Sequence, residues 1–162
     1  MPVTMQQVLS EIDREEPDYP AFARLGPDAL PHLKAIVTAD DPLRAAKAAY
    51  AATVIGGTPS VEVVRAAADH HDPQVRIAAA HGMQNLGAVA PTDLVVKVLQ
   101  DPDAGVRKLA IRTAGALNRT EFTQRLTEIS RTDPAEHLRG PATGAIGRVP
   151  TTTAPAKSIG PR

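Results

Sequence analysis

One stretch of this chain returns four times, and that recurrence limits the fold more than any other feature. The stretch Asp72 to Gly87 reads DPQVRIAAAHGMQNLG. DPLRAAKAAYAATVIG, Asp41 to Gly56, precedes it, and DPDAGVRKLAIRTAGALN, Asp101 to Asn118, and DPAEHLRGPATGAIGRVP, Asp133 to Pro150, follow. With Ala45, Arg76, Arg107 and Arg139 in one column, the copies are spaced 31, 31 and 32 residues apart. Three places on, every copy has alanine (Ala48, Ala79, Ala110, Ala142). Six on come Ala51, Gly82, Thr113 and Ala145, and seven on come Ala52, Met83, Ala114 and Ile146. Ten on, the residue is aliphatic in all four: Ile55, Leu86, Leu117, Val149. These offsets trace one face of an α-helix. A repeat of this length marks a stacked-helix array. The small side chains on that face let a neighbouring helix come close.

Each copy opens on Asp-Pro, which predicts an N-cap carboxylate followed by a first-turn proline. Each closes on a stop residue, Gly56, Gly87, Asn118 or Pro150. Between these A helices the patterning predicts B helices near Pro27–Ala39, Pro59–His70, Pro91–Gln100 and Thr120–Arg131. Their buried stripes are expected to be Leu30, Leu33, Val37; Val61, Val64, Ala68; Val95, Val98, Leu99; and Phe122, Leu126, Ile129. Upstream, Thr4 to Glu16 carries Val8, Leu9 and Ile12 at helical spacing and reads as a capping helix. Pro17 to Pro20 breaks it, and Ala21 to Leu25 starts a short degenerate helix. Residues 1–149 are thus expected to form one repeat domain. The tail 150–162 has nothing to bury and is expected to be disordered.

These copies resemble the HEAT-repeat family of α-solenoids, in the short form that reads roughly DPxVRxxAAxALG. The segment Leu25 to Val37, LGPDALPHLKAIV, looks like that family's passage from the first helix of a repeat into its second. The resemblance covers about residues 23 to 149 and implies an all-α, right-handed solenoid of about four helix-pair repeats. It also implies an internal ladder in which the column arginines Arg76, Arg107 and Arg139 pair with Asp72, Asp101 and Asp133. Two departures stand out: Ala45 occupies the arginine position of the first copy, and the fourth copy ends after its first helix. The first is expected to loosen or re-angle the first interface. The second leaves Ala142, Ala145 and Ile146 without a B helix to cover them, which predicts that this helix is the first to fray or is covered by a second protein, in a chain that is a monomer or self-associates weakly through that repeat.

Aromatic residues make up only 2% of the chain, so the core must be built from Ala, Val, Leu and Ile. Formal net charge is zero, which argues against a general polyanion binder. The charge is nevertheless unevenly placed. Residues 1–41 hold eight acids and three bases, whereas residues 104–162 hold four and ten. The lack of cysteine removes disulfide and thiol chemistry. No signal segment or apolar membrane span is legible, so the expected compartment is the cytoplasm.

No catalytic or cofactor site is legible either. Asp69-His70-His71-Asp72 suggests metal ligation, yet successive helical residues point about 100° apart, and Asp72 is committed as a cap, so no metal is expected. The column Tyr50, His81, Arg112, with Lys108 and Arg119, is expected on the convex face as a solvated surface, Arg119 serving as an inert control position. More suggestive are the B helices, each pairing an early acid with a base or histidine about one turn later: Asp28/His32, Glu62/Arg65, Asp93/Lys97 and Glu121/Arg125. Two readings stand. Early acids suit the helix dipole, and pairs one turn apart stabilise a helix by a few tenths of a kcal/mol. Alternatively, in solenoids of the resembled kind the B helices line the concave face, and these rows form a charged groove for another protein. The reading reached is a non-enzymatic protein-binding module. A nucleic-acid-binding solenoid using the basic C-terminal half, and a small-ligand or bilin-lyase-like repeat protein, are the alternatives.

Overall fold

Residues 1–147, the part of the chain that the computed structural model describes, form ten α-helices. In chain order they are α1 (Met5–Ile12), α2 (Tyr19–Leu25), α3 (Leu30–Thr38), α4 (Pro42–Ile55) and α5 (Val61–Ala68). Then come α6 (Pro73–Gly82), α7 (Thr92–Leu99), α8 (Ala104–Leu117), α9 (Thr123–Thr132) and α10 (Glu136–Ile146). Short 3-10 turns lead into α3, α5 and α9, and a longer one, Met83–Val89, joins α6 to α7. The A helices α4, α6, α8 and α10 pack side by side in one layer, and α3, α5, α7 and α9 form the second. Each A helix also packs on the B helix that precedes it, α4 on α3, α6 on α5, α8 on α7 and α10 on α9, while α1 and α2 close the first repeat against α3 and α4. This is an α-solenoid. The expected readings at Val149, Pro150 and the tail 150–162 lie outside the described residues.

The periodicity explains the packing. Ala45, Ala48, Ala49, Ala51 and Ala52 of α4, Ala79 and Ala80 of α6, and Ala110 and Ala114 of α8 are fully buried. The B layer supplies bulk through Leu33, Val64, Leu94, Leu99 and Leu126, and Phe22 and Phe122 fill the two ends. Within α5 the buried valine beside Val64 is Val63, whereas Val61, expected in the stripe, is only half-buried. The interface that lacks the column arginine is not loose. Gly82 faces Thr53 so closely that a Cβ there would lie 2.6 Å from Thr53 Cγ2 and Oγ1. Asn85 Nδ2 donates to Thr53 Oγ1 at 3.2 Å and ties the Met83–Val89 turn to α4.

Helix ends depart from the simple reading in instructive ways. Asp41 and Asp72 do cap α4 and α6, accepting from Arg44 N and Gln74 N. Asp101 and Asp133 do not cap: α8 starts later, capped by Asp103, and α10 starts after Ala135. Their carboxylates are instead taken by the column arginines, described below, and two further residues are used before each helix begins. α6 ends at Gly82 and not at Gly87, which lies within the following 3-10 turn at φ 53°. Asn118 ends α8 in the left-handed conformation, φ 58°, which asparagine tolerates better than most residues. α1 stops at Ile12, so of the acids at the end of the expected helix it keeps Glu11 but not Asp13, Glu15 or Glu16.

Two surface expectations are overturned. Ala142 and Ala145 of α10 are buried within the chain, because α9 and α8 both pack on that helix. Arg119 is no inert control. Its guanidinium donates to Ala90 O at 2.6 Å and to Gly87 O at 2.7 Å, and lies 5.9 Å over the Phe122 ring. These carbonyls end the preceding turn, so Arg119→Ala is expected to cost about 1–2 kcal/mol. Chemical denaturation of that variant checks this; a change below about 0.5 kcal/mol restores the surface reading.

Candidate functional site

The column arginines form forks between repeats. Arg76 grips Asp101 through Nε at 2.8 Å and Nη2 at 3.1 Å, and its Nη1 donates to His70 O and His71 O. Arg107 grips Asp133 at 2.8 and 2.9 Å, with Nη1 donating to Asp101 O and Pro102 O. Each arginine thus satisfies carbonyls at its own repeat's entry and a carboxylate of the next repeat, using planar two-point geometry that lysine lacks. Asp72 takes no part, because the position that would reach it holds Ala45; its carboxylate serves Gln74 N. Arg139 finds only the backbone, Nε donating to Asp133 O at 2.9 Å, since no further A helix follows α10 among the described residues. At the front, Arg44 forks backwards onto Asp13 at 2.8 Å through both nitrogens.

Most of the B-helix charges are paired, but not as the sequence was read. Glu62/Arg65 and Asp93/Lys97 do not pair within their helices. Lys34 reaches Glu62 at 3.4 Å, Arg65 reaches Asp93 at 3.0 Å, and Lys97 meets Asp69. Each pair joins consecutive B helices, where opposite charge across the interface is available without bending a side chain back along its own helix. The Arg65 hydrogen bond is the main influence on the Asp93 carboxyl and holds it below its ordinary value. Arg125 alone pairs locally, with Glu128 at 2.7 Å. His32 leaves the row: its Nε2 donates to Val3 O at 2.8 Å, pinning the N-terminal segment. Asp28 and Glu121 are exposed and form no ion pair among the described residues.

The members the sequence reading missed are Lys34, Asp69 and Glu128. Spacing could have found the first two. Lys34–Glu62, Arg65–Asp93 and Asp69–Lys97 are all 28 residues apart, one repeat less about a turn. Every one of these side chains stays 44–75% exposed, so the strip is accessible from outside. Beside Lys34 and Glu62, an apolar notch of about 310 Å³ opens between α3 and α5, lined by Pro27, Leu30, Pro31, Pro59 and Val63.

Elsewhere, His70 and His71 stack at 4.4 Å, and His70 Nδ1 accepts from Asp72 N, so that nitrogen is already committed. Burial and the neighbouring His71 push the His70 pKa down. Tyr50 and His81 are not freely solvated as expected. They stack at 5.4 Å with Tyr19 edge-on to Tyr50, and of these three column residues only Arg112 is exposed. No helix among the described residues is long and apolar enough to cross a membrane.

Two layers of short helices, clamped by arginine forks and offering a side-chain strip but no enclosed cleft at it, define the α-solenoid class of repeat protein. The family model for HEAT repeats matches residues 61–147, more than half of the sequence, and the chain belongs to that family. Among solved structures, it is similar to a chain in the complex of CpcE and CpcF of phycocyanin lyase from Nostoc sp. PCC7120. The similarity has a TM-score of 0.71 at 22% identity and covers 87% of this chain and 96% of that one. At that identity the likeness concerns the fold. Among curated proteins no match was found.

Proposed function

We propose that this chain is a non-catalytic binding module that takes a protein partner across its B-helix face. The observation that carries the reading is the exposed strip of ion pairs Lys34–Glu62, Arg65–Asp93 and Asp69–Lys97, which runs from repeat to repeat beside an apolar notch. A partner laid along the strip meets signs in a fixed order, and a slipped partner meets like charges. The notch offers a place for one buried apolar anchor, the kind of contact that dominates interface energies. Asp28, Glu121 and Arg125 extend the charged surface toward its two ends. His32, tied to Val3, acts only by holding the first repeat together.

The test needs the partner, obtained by pull-down from the native host, and purified variants checked by circular dichroism. Single alanine changes at Arg65 or Lys97 are expected to weaken binding by about 0.2–1 kcal/mol, as for other rim charges. Reversing both to glutamate is expected to cost several times more. Lys108→Glu with Arg112→Glu, on the A-helix layer, is expected to leave binding unchanged. If the A-layer pair abolishes binding and the B-layer pair spares it, the assignment of the face is wrong.

A second reading, a lyase-type role, is favoured by the similarity to a phycocyanin lyase chain over most of both lengths. It predicts that an added bilin shifts its visible absorption and raises the melting temperature; the first reading predicts neither. The nucleic-acid alternative is disfavoured by zero net charge and by the absence of tryptophan for stacking.

A further inference from the structure

Among the described residues, all lysines and arginines but three have a hydrogen-bond or ion-pair partner within the chain. The three are Lys108, Arg112 and Arg131, and all are exposed. Lys108 and Arg112 lie one turn apart on α8 and rim the same groove of about 270 Å³ between α8 and α10. Ile111, Gly115, Pro141 and Gly144 contribute to its walls. Two unpaired cations beside an apolar groove suit an acidic segment that also carries a small apolar side chain.

Such a segment exists at the other end of the array. Glu15 and Glu16 are exposed, form no ion pair among the described residues, and are followed by Pro17. Their bend is held in place: Lys47 Nζ donates to Ile12 O at 3.2 Å and Arg14 O at 3.0 Å, and the Arg44–Asp13 fork fixes the preceding residue. Lys47 and Arg44 belong to α4, so the acidic bend and the basic groove sit at opposite ends of the A-helix layer. The overall imbalance has the same sense, with an excess of acids in residues 1–41 and of bases in residues 104–162.

We propose that the groove between α8 and α10 receives the Glu15–Glu16–Pro17 bend of a second copy, so that molecules associate head to tail. The two surfaces differ, so the contact is heterologous, and each copy keeps one free surface of each kind until a ring closes. It leaves the B-helix face free and stands apart from the partner proposed there. Because the charges are exposed, salt screens the attraction, and association belongs to low ionic strength and high concentration.

Sedimentation velocity over a concentration series tests this with the full chain. At about 20 mM salt the wild type is expected to shift to larger species as concentration rises, and at about 300 mM to weaken tenfold or more, the ionic atmosphere then screening within several ångström. Lys108→Glu with Arg112→Glu, and separately Glu15→Lys with Glu16→Lys, are each expected to sediment as monomers. Mixed in equal amounts the two variants are expected to associate again, because every contact between them joins opposite signs. Arg131→Glu, an unpaired cation outside the groove, is expected to associate like the wild type. A monomeric wild type at low salt, a mixture that stays monomeric, or an equal loss in Arg131→Glu overturns the proposal.

Discussion

Arg107→Ala is expected to cost about 3–5 kcal/mol of folding stability, the range for removing one member of a buried ion pair. The Arg107 side chain is only 11% exposed and its Asp133 partner 4%. Truncation strands that carboxylate and also frees the carbonyls of Asp101 and Pro102. Arg76→Ala removes the same geometry at a wetter site, 14% and 8% exposed, and is expected to cost less. Urea titrations of the two variants check both the size and the order. An unchanged midpoint for Arg107→Ala would mean that the fork contributes nothing.

Acid should report on the same fork. Burial pushes the Asp133 carboxyl up, but the Arg107 hydrogen bond, the Ala135 N–H and the charges of Arg107 and Arg139 together outweigh it. The carboxyl therefore sits below its ordinary value of 3.8. A carboxyl depressed in the folded state contributes stability above its unfolded value, and that contribution is lost as pH falls through the folded one. The wild type is thus expected to lose this part of its stability below about pH 4, with Arg107→Ala flatter over the same interval. Parallel acid dependences in the two proteins would contradict the assignment.

Gly82→Ala is expected to destabilise by about 2 kcal/mol, against the usual gain from replacing a helical glycine. Alanine gains about 1 kcal/mol of helix propensity, whereas overpacking a filled core costs about 1–3 kcal/mol and sometimes more. Here overpacking wins, because the new Cβ lands 2.6 Å from two atoms of a buried Thr53. Thr53 cannot easily turn away. It is stiff at χ1, and its Oγ1 donates to Tyr50 O at 2.6 Å while accepting from Asn85. Thr53→Ala should relieve most of the clash but not all, since Thr53 Cβ itself lies 3.1 Å from where a Cβ at Gly82 would sit. The double variant should then be less destabilised than the two single changes summed, by about 1 kcal/mol or more. Strict additivity would show that α4 and α6 are not pressed together at this point.

The repeat, its helical period and its small-residue face were all legible in the chain itself, because a helix that buries one stripe must repeat that stripe wherever the repeat recurs. Local rules also worked where only local partners compete: Asp41 and Asp72 cap their helices, and Asn118 ends α8. They failed where a partner from another repeat offered more. Asp101 and Asp133 have the same Asp-Pro spelling, yet a guanidinium from the preceding repeat claims each carboxylate and the helix starts later. The B-helix acids likewise chose bases 28 residues away over those one turn along. Reading along a single helix cannot rank these options, since the stagger between neighbouring helices is set by how their side chains interlock. Arg119, His32 and Tyr50 changed from surface residues to fasteners for the same reason: what they touch lies about one repeat away in sequence. The sequence by itself determined the solenoid and its helix faces, and the tertiary stagger decided which charges remain unpaired.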